Sequence, residues 1–333
     1  MTPFTVFYCD AARAGQWLDD ARLLALVRFG EPASTEPDLR VGAVALAELG
    51  GAETVEVWLG ARPARTGVRD GIRHASDGEV LFLQLDLDEY APDALQPLTA
   101  VAYRRLFATA RALGYPHFLR IWNYFPQINR ECEGLERYRA FCAGRHQALV
   151  AELAEFETRL PAASAIGTCG PGLQLYALAA KEPAVQIENP RQVSAFHYPR
   201  QYGRRSPSFS RAVLKAWGEG REHLYISGTA SIVGHASRHR DLLPQLDETL
   251  ANLEALLAEA NRRAAAPLEL ALLKIYVRPD LDPAPWRDRI AQAFGTGVPM
   301  LFLRADICRR ELLIEIEGLA TGSAARHSRD TAS

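Results

Sequence analysis

One order of predicted elements occurs twice in this chain, and this repeat limits the fold more than any other feature. In the C-terminal half, hydrophobic periodicity and turn residues predict strand, helix, strand, helix and two final strands at residues 223–227, 241–263, 268–277, 285–294, 300–305 and 311–317. In the N-terminal half they predict strand, helix, strand and helix at residues 79–85, 97–113, 117–125 and 138–156. We interpret this as an α/β fold of two similar lobes, each a mixed sheet with helices on one face. Because strand–helix alternation is common, coincidence is the alternative.

The repeat divides the chain into three parts. We predict an N-terminal lobe at residues 1–160, a C-terminal lobe with most of the site at residues 161–320, and a frayed, polar tail at residues 321–333. Residues 167–209 are rich in Gly, Pro, Tyr and Arg and predict neither strand nor helix. A segment this aromatic is expected to pack over a pocket, in the cleft where it meets the C-terminal strands.

Charge and cysteine content narrow the class of protein. The net charge is −2, so no global field favours nucleic acid or an anionic membrane, and we expect neither partner. Any anion site must therefore be built from a few arginines inside a pocket. The five cysteines are odd in number and no CxxC pair occurs, which predicts reduced thiols in a cytosolic protein.

Several familiar site patterns are missing or incomplete. No Walker lysine motif or GxSxG elbow occurs, and the glycines near residue 170 are not followed by a helix in a dinucleotide-binding arrangement. His235 and His239 are four residues apart, but no third ligand completes a metal site. We therefore expect neither a metal nor an organic cofactor.

Two stretches combine tyrosine with arginine. They supply Arg120, Tyr124, Tyr198, Tyr202 and Arg205. The first two share one face of the predicted strand at residues 117–125, where polar side chains are unusual for a core strand. Arginine holds a carboxylate through two parallel bonds, so these stretches predict a carboxylate-binding pocket. The alternative is a solvated basic loop.

Two glutamates lie on the last predicted strand. Glu315 and Glu317 share one face of it, opposite leucine and isoleucine. We expect Glu317 at the surface. Glu315 fits either a half-exposed sheet or a buried acid that donates a proton at neutral pH, and both interpretations stay open.

A family resemblance follows from three motifs. Residues 225–230, the helix with Gln245 and Asn252, and residues 314–317 resemble the imine-deaminase (chorismate-mutase-like) fold. A doubled version with RIWNY at 120–124, FHYPRQYG at 196–203 and RADICRRELLIE at 304–315 resembles the chorismatases over about residues 80–318.

The resemblance implies cleavage of the enolpyruvyl ether of chorismate, with release of pyruvate and no cofactor. Glu315 matches the family's acid that protonates the enol methylene carbon. The implied substrate-binding residues are Arg120, Arg205 and Arg304 for the two carboxylates, Tyr124, Tyr198 and Tyr202 for the ring and its oxygens, and Ser227, Gly228, Thr229 and Ala230 for the pocket wall.

Cys308 bears on the product. It lies seven residues before Glu315, where the family's aromatising branch carries cysteine and the dihydrodiol-forming branch a small aliphatic residue. The resemblance thus implies 3-hydroxybenzoate, alone or with 4-hydroxybenzoate. The short N-terminus resembles mixed-product enzymes of aryl-polyene pigment and ubiquinone-precursor synthesis. By itself, Cys308 fits a small buried apolar residue equally well.

Two other functions remain as alternatives. An imine or enamine deaminase would use the same fold, and a non-catalytic sensor of small carboxylates would use the same pocket. A binder of a dianion gains nothing from a neighbouring carboxylate, so Glu315 favours the enzyme. We expect a monomer or, from the habit of the fold, a homotrimer.

Overall fold

A computed structural model describes residues 4–30, 37–51, 53–89, 91, 94–278 and 282–323. Within these residues the chain forms three main sheets with helices outside them. The first sheet has four strands in the order β1-β4-β2-β3 and lies within the predicted N-terminal lobe, ahead of the repeated elements, where no strand is predicted from the sequence. Its elements are β1 (Phe4–Asp10), α1 (Gly15–Leu18), β2 (Leu23–Phe29), β3 (Val41–Val44) and β4 (Thr54–Gly60).

The second sheet belongs to the first lobe and has six strands in the order β5-β6-β7-β12-β8-β11. Helices α2 and α3 pack on its outer face, and β9 and β10 form a small hairpin beside it. The elements are β5 (Arg65–Arg69), β6 (Ile72–Ser76), β7 (Val80–Leu87), α2 (Leu95–Ala112), β8 (His117–Pro126), β9 (Glu131–Cys132), β10 (Leu135–Glu136), α3 (Arg137–Glu152), β11 (Ala162–Thr168) and β12 (Leu173–Ala180).

The third sheet belongs to the second lobe and also has six strands, in the order β13-β14-β15-β20-β18-β19. Helices α4 and α5 pack on its outer face, and β16 and β17 form another hairpin. The elements are β13 (Val185–Ile187), β14 (Ala212–Ala216), β15 (Arg221–Ala230), β16 (Ile232–Val233), β17 (Ala236–Ser237), α4 (Leu242–Asn261), β18 (Glu269–Val277), α5 (Ala284–Phe294), β19 (Met300–Arg304) and β20 (Ile314–Ser323).

The two six-stranded sheets have the same topology. Each begins with three antiparallel strands, continues with a helix and a strand, and then uses a second helix to place a parallel neighbour, β11 beside β8 and β19 beside β18. In each, the last strand, β12 or β20, inserts at the centre. The predicted α/β fold of two similar lobes with helices on one face is therefore confirmed.

The inner faces of all three sheets share one core. Side chains of β8 alternate between two hydrophobic clusters. Ile121 and Phe125 pack with the helices on the outer face, while Trp122 and Tyr124 point from the inner face toward the other sheets. The cluster that contains Trp122 and Tyr124 also includes Trp58 of β4 and Tyr276 of β18. The candidate site lies where the second and third sheets meet.

Several predicted boundaries differ from the structure. Strands β11 and β12 lie after residue 160 yet join the first lobe's sheet, so the six-stranded sheets divide between Ala180 and Val185. Part of segment 167–209 is regular, since β12 and β13 lie within it. Strand β20 continues to Ser323, so the first three residues of the predicted tail pair with β15. Residues 324–333 lie outside the described residues.

Among the described helices, none combines the length and apolar character needed to cross a membrane.

Candidate active site

A cavity of about 510 Å³ opens where the two lobes meet. The first lobe contributes the β9–β10 hairpin, the start of α3 and the small residues of β11. The second contributes β15, β20, the loop at residues 305–313, and the segment at residues 198–211. This volume suits a small organic ligand. The pocket predicted mainly from the C-terminal half is thus shared by both lobes.

The junction of the lobes shapes the inner wall. Strand β11 is an edge of its sheet, and the backbone N–H of Ala163 donates to Ser227 Oγ of β15 at 2.9 Å. The pairing of β15 with β20 shifts register between Ile226 and Thr229, and Gly228 donates its backbone N–H to Ser164 Oγ at 3.2 Å. Such bulges re-aim side chains beside functional sites. Here the bulge leaves room for a carboxyl group.

That carboxyl group belongs to Glu315. Its side chain projects from β20 into the cavity and is 4% exposed. A Cβ atom on Gly228 would lie 1.9 Å from Glu315 Oε1, so only glycine leaves space for it. Burial, and then the charge of Glu317, raise the pKa of Glu315 to about 8, while Arg120 and Arg211 oppose the shift. Glu315 is therefore a protonated acid at neutral pH.

Glu317 lies two residues further along β20 but in an ionic environment. Arg120 Nη2 and Trp122 Nε1 donate to its carboxylate at 2.7 and 2.6 Å, and Ser164 Oγ donates at 2.5 Å. Lys274 Nζ is 3.5 Å away. Burial alone would raise the pKa of Glu317, but these partners hold it below its ordinary value. The expectation that Glu317 lies at the surface is wrong, because the inner face of β20 is covered by the first lobe.

Two arginines form the cationic part of the inner cavity. Arg145 of α3 is 1% exposed and stacks on Phe141, and its Nε and Nη2 have no hydrogen-bond partner among the described residues. Arg211 donates to Tyr198 Oη at 2.7 Å, and its Nε likewise lacks a partner in the described chain. Buried N–H groups without partners are costly and favour an anionic ligand.

The loop at residues 305–313 forms one side of the cavity and carries Cys308. Burial, and then Glu315, raise the pKa of the Cys308 thiol, so it stays protonated. The guanidinium of Arg309 lies 4.0 Å from the ring centroid of Tyr202. Arg278 holds the loop by donating to the carbonyl oxygens of Leu312, Ile307 and Arg309 at 3.0, 3.1 and 3.1 Å.

Comparison with known proteins identifies the family. Residues 56–179 match the family model described as "Chorismatase FkbO/Hyg5-like, N-terminal". A 3-hydroxybenzoate synthase of Streptomyces hygroscopicus is 38% identical over 278 residues, which cover 79% of this chain and 80% of that protein. A chorismatase of Streptomyces rapamycinicus is 36% identical over 79% of this chain and 81% of its own. The chain belongs to the chorismatase family. A chorismatase crystal structure superposes with a TM-score of 0.83 at 33% identity, covering 96% of this chain and 98% of that one.

Six of the residues predicted for this chorismatase-family site line the cavity. They are Tyr198, Tyr202, Gly228, Ala230, Cys308 and Glu315. They come from three separate stretches of the chain, and each role assigned to them remains a prediction.

Two predicted residues lie between the sheets instead. Arg120 is 1% exposed and pairs with Glu317, behind the wall formed by Ser164. Tyr124 is fully buried and shares hydrogen bonds with Tyr176 and Tyr276 at 3.0 and 3.1 Å. Both belong to the inner face of β8, which meets the other sheets rather than the cavity.

The other four predicted residues lie outside the cavity for reasons of strand geometry or exposure. Arg304 is exposed and shares the outer face of β19 with Phe302, which packs with the helices. Arg205 is an exposed residue in the loop that follows Tyr202. Ser227 is buried at the lobe junction, where its Oγ accepts from Ala163 N–H and donates to the carbonyl of Ser210 at 2.6 Å. Thr229 lies opposite Ile316 in the sheet, and its hydroxyl donates to the carbonyl of Ser227 at 3.0 Å.

Sequence reasoning missed the arginines of the inner cavity. Arg145 lies four residues from both Phe141 and Leu149, on an otherwise apolar stripe of α3. A charged residue on such a stripe is a usable signal, since a buried arginine requires a partner or a ligand. Arg211 precedes a short strand and gave no comparable pattern.

Proposed function

We propose that this member of the chorismatase family converts chorismate to pyruvate and 3-hydroxybenzoate, with protonation by Glu315 as the chemical step. The observation that carries the proposal is a buried glutamic acid, protonated at neutral pH, that faces a cavity lined by buried arginines with free donors. The relatives named as chorismatases and 3-hydroxybenzoate synthase support it.

Protonation begins the reaction. The proton moves from the carboxyl of Glu315 to the terminal methylene carbon of the enolpyruvyl group, which leaves an oxocarbenium-like centre beside the ether oxygen. The C3–O ether bond then breaks, and its electrons stay on the oxygen that becomes the keto group of pyruvate. The 4-hydroxyl oxygen bonds to C3 as an epoxide; opening of its C4–O bond and loss of the ring proton at C3 give 3-hydroxybenzoate, and a proton returns to Glu315. Loss of the C4 proton without epoxide formation gives 4-hydroxybenzoate, and aromatisation supplies the driving force in both cases. The two products together contain all the atoms of chorismate, so the overall balance requires no oxidant, reductant or cofactor. A neutral carboxyl group suits this step because it is an acid at the working pH.

The arginines hold the dianion. We assign Arg145 and Arg211 to the two carboxylates of chorismate, because their unpartnered N–H groups lie at the buried end of the cavity. Tyr198 and Tyr202 would orient the ring, and the small residues Ala163 and Ala165 leave space for it. In this proposal Arg120 does not contact chorismate, although the resemblance implies that it binds a carboxylate, because it is paired with Glu317.

Cys308 selects the product in this proposal. Its protonated thiol lies on the loop beside Glu315 and is a weak donor rather than a nucleophile. The relative named 3-hydroxybenzoate synthase supports an aromatic product with the hydroxyl group at position 3. Formation of 4-hydroxybenzoate as a second product is part of the proposal and is measured in the same assay.

The test is incubation of purified protein with chorismate, without added metal or cofactor, followed by chromatography of the products. We expect equal amounts of pyruvate and hydroxybenzoate, mainly the 3-isomer. Glu315→Gln should lower kcat by at least about 100-fold, because general acid catalysis contributes this much. Since glutamine matches the protonated acid in size and charge, 3-hydroxybenzoate should still bind.

The control is Glu254→Gln on the exposed face of α4, which should retain wild-type turnover. Cys308→Ala should increase the share of the dihydrodiol, which forms when a water molecule from solvent adds to the cleaved intermediate before the ring loses a proton. Unchanged chorismate with wild-type protein would rule out the proposal, and assays of imine hydrolysis and of carboxylate binding would then test the deaminase and the sensor.

Other expectations stay predictions. They are the cytoplasmic location, the link to pigment or ubiquinone-precursor synthesis, and the choice between monomer and homotrimer. One chain supplies both walls of the cavity, which favours a monomer as the competent unit.

A further inference from the structure

Four charged side chains meet where the three sheets converge, behind the wall of the cavity. Glu56 of β4, Arg120 of β8, Lys274 of β18 and Glu317 of β20 are each no more than 3% exposed. Lys274 Nζ lies 2.7 Å from Glu56, and Arg120 Nη2 lies 2.7 Å from Glu317. We call these four residues the inner charge cluster. It contains two cations and two anions, so it is neutral as a whole.

Glu315 is a third carboxyl group beside a cluster whose cations are already paired. It lies about 7 Å from Glu317 along β20, on the same face of the strand. Within the described chain it has no ion pair or hydrogen-bond donor of its own, and its environment acts through burial and charge. An ionised Glu315 would find no unpaired cation within the inner charge cluster.

The charge of Glu317 is fixed by several contacts from different elements. Trp122 and Ser164 donate hydrogen bonds to it, and Arg120 and Lys274 supply positive charge. These contacts stabilise the carboxylate and also prevent it from turning toward the cavity. Glu317 therefore remains an anion while Glu315 gains and loses its proton.

We propose that Glu317 is a positioning residue for proton transfer, because its permanently charged carboxylate keeps the proton on Glu315 until chorismate accepts it. The inner charge cluster acts with it: Arg120 and Lys274 hold Glu317 in place, and Glu56 neutralises the excess cation. The inference rests on the proposed function and assigns a role to residues that do not touch the substrate.

Other groups around the two glutamates leave this assignment intact. Burial raises the pKa values of Tyr8, Tyr124, Tyr176 and Tyr276, so they remain neutral over the working range. Cys308 also stays protonated. The charged groups that shift the pKa of Glu315 are Glu317, Arg120 and Arg211. Arg145 and Arg309 line the same cavity and are unchanged in every variant of the test.

The test compares the pH profiles of kcat/KM for variants of opposite charge. The wild-type profile should fall on the alkaline side as Glu315 ionises. Glu317→Gln removes the neighbouring anion, so this alkaline limb should move to lower pH by about one unit. Lys274→Met removes a cation and leaves excess negative charge, so the limb should move to higher pH. The double variant Glu317→Gln/Lys274→Met should lie between the two.

The decisive readout is that the alkaline limbs of the two single variants move in opposite directions. A loss of folding or packing would lower kcat/KM without moving these limbs apart. Glu79→Gln, at an exposed ion pair with Arg62, is the control for a change of surface charge. A ¹³C titration of the Glu315 carboxyl group measures the same shifts without substrate. If one single variant fails to fold, the direction of the shift in the other, compared with Glu79→Gln, decides. The inference would be overturned if the alkaline limbs of Glu317→Gln and Lys274→Met stayed at the wild-type pH, or if both moved in the same direction. Failure of wild-type protein to cleave chorismate would instead contradict the proposed function.

Discussion

At the scale of single residues, the site depends on one close approach between a glycine and an acid. Glu315 occupies the space where any other residue at position 228 would carry its Cβ atom. The same contact excludes water from one side of the carboxyl group and so contributes to its burial. The absence of a side chain at Gly228 and the raised pKa of Glu315 are thus parts of one arrangement.

Gly228→Ala tests this arrangement. The added methyl group would displace the carboxyl of Glu315, and a displacement of about 1 Å can lower a rate about 100-fold. We expect kcat for chorismate cleavage to fall by about that factor, while circular dichroism remains that of the wild type. Gly297→Ala is the matched control, because a Cβ atom there meets no other atom within 4 Å. Equal activities for the two variants would contradict the prediction.

At the scale of elements, one arginine organises the loop between β19 and β20. Arg278 follows β18 and bonds to three carbonyl oxygens of that loop and to Asn129 Oδ1 of the first lobe at 3.1 Å. It also pairs with Asp306 at the start of the loop. The position of Cys308 relative to Glu315 therefore depends on a side chain that does not line the cavity.

Arg278→Met should loosen this loop without opening the sheets. We expect kcat/KM to fall about tenfold, and the proportion of hydroxybenzoate to decrease, because small misplacements of groups at a site reduce rates strongly. Steady-state kinetics and product chromatography measure both effects. Arg289→Met, which breaks an exposed pair with Asp247, should alter neither quantity. An unchanged product ratio for Arg278→Met would show that Cys308 is positioned by other contacts.

At the scale of the whole molecule, burial of the acid is linked to stability. Glu315 has a folded-state pKa of about 8, raised from its ordinary value. Between the two values the unfolded chain has released this proton and the folded chain has kept it. Stability from this group is thus complete below the ordinary pKa and declines as pH rises toward about 8.

Comparison with Glu315→Gln isolates this contribution. Between about pH 5 and pH 8, the free energy of unfolding of the wild type should fall relative to the variant by about 1.4 kcal/mol per pH unit. Urea unfolding at several pH values measures the difference. Parallel pH dependences of the two proteins would mean that Glu315 is ionised in the folded state.

The sequence by itself determined the order of the repeated strands and helices and the faces of their strands; the first sheet, β1–β4, was not predicted. The repeat of strand and helix and the alternation in β8 and β20 were read correctly, because both depend on local periodicity. The resemblance added Glu315 and the loop with Cys308. Strands β11 and β12 were missed because their alanine-rich stretches carry weak strand signals.

The tertiary structure decided which charged residues face the cavity and which lie behind its wall. Arg120 and Glu317 are 197 residues apart in the chain, yet they form one buried pair. Arg145 lines the cavity because α3 and the edge strand β11 of its own lobe both border it, while the second lobe, bonded to β11 through Ser227, supplies the opposite wall. Local patterns record which side of an element a residue occupies, but the partner of that side depends on how distant elements pack. For this reason strand alternation and the resemblance together pointed to Glu315, and neither pointed to the arginines around it.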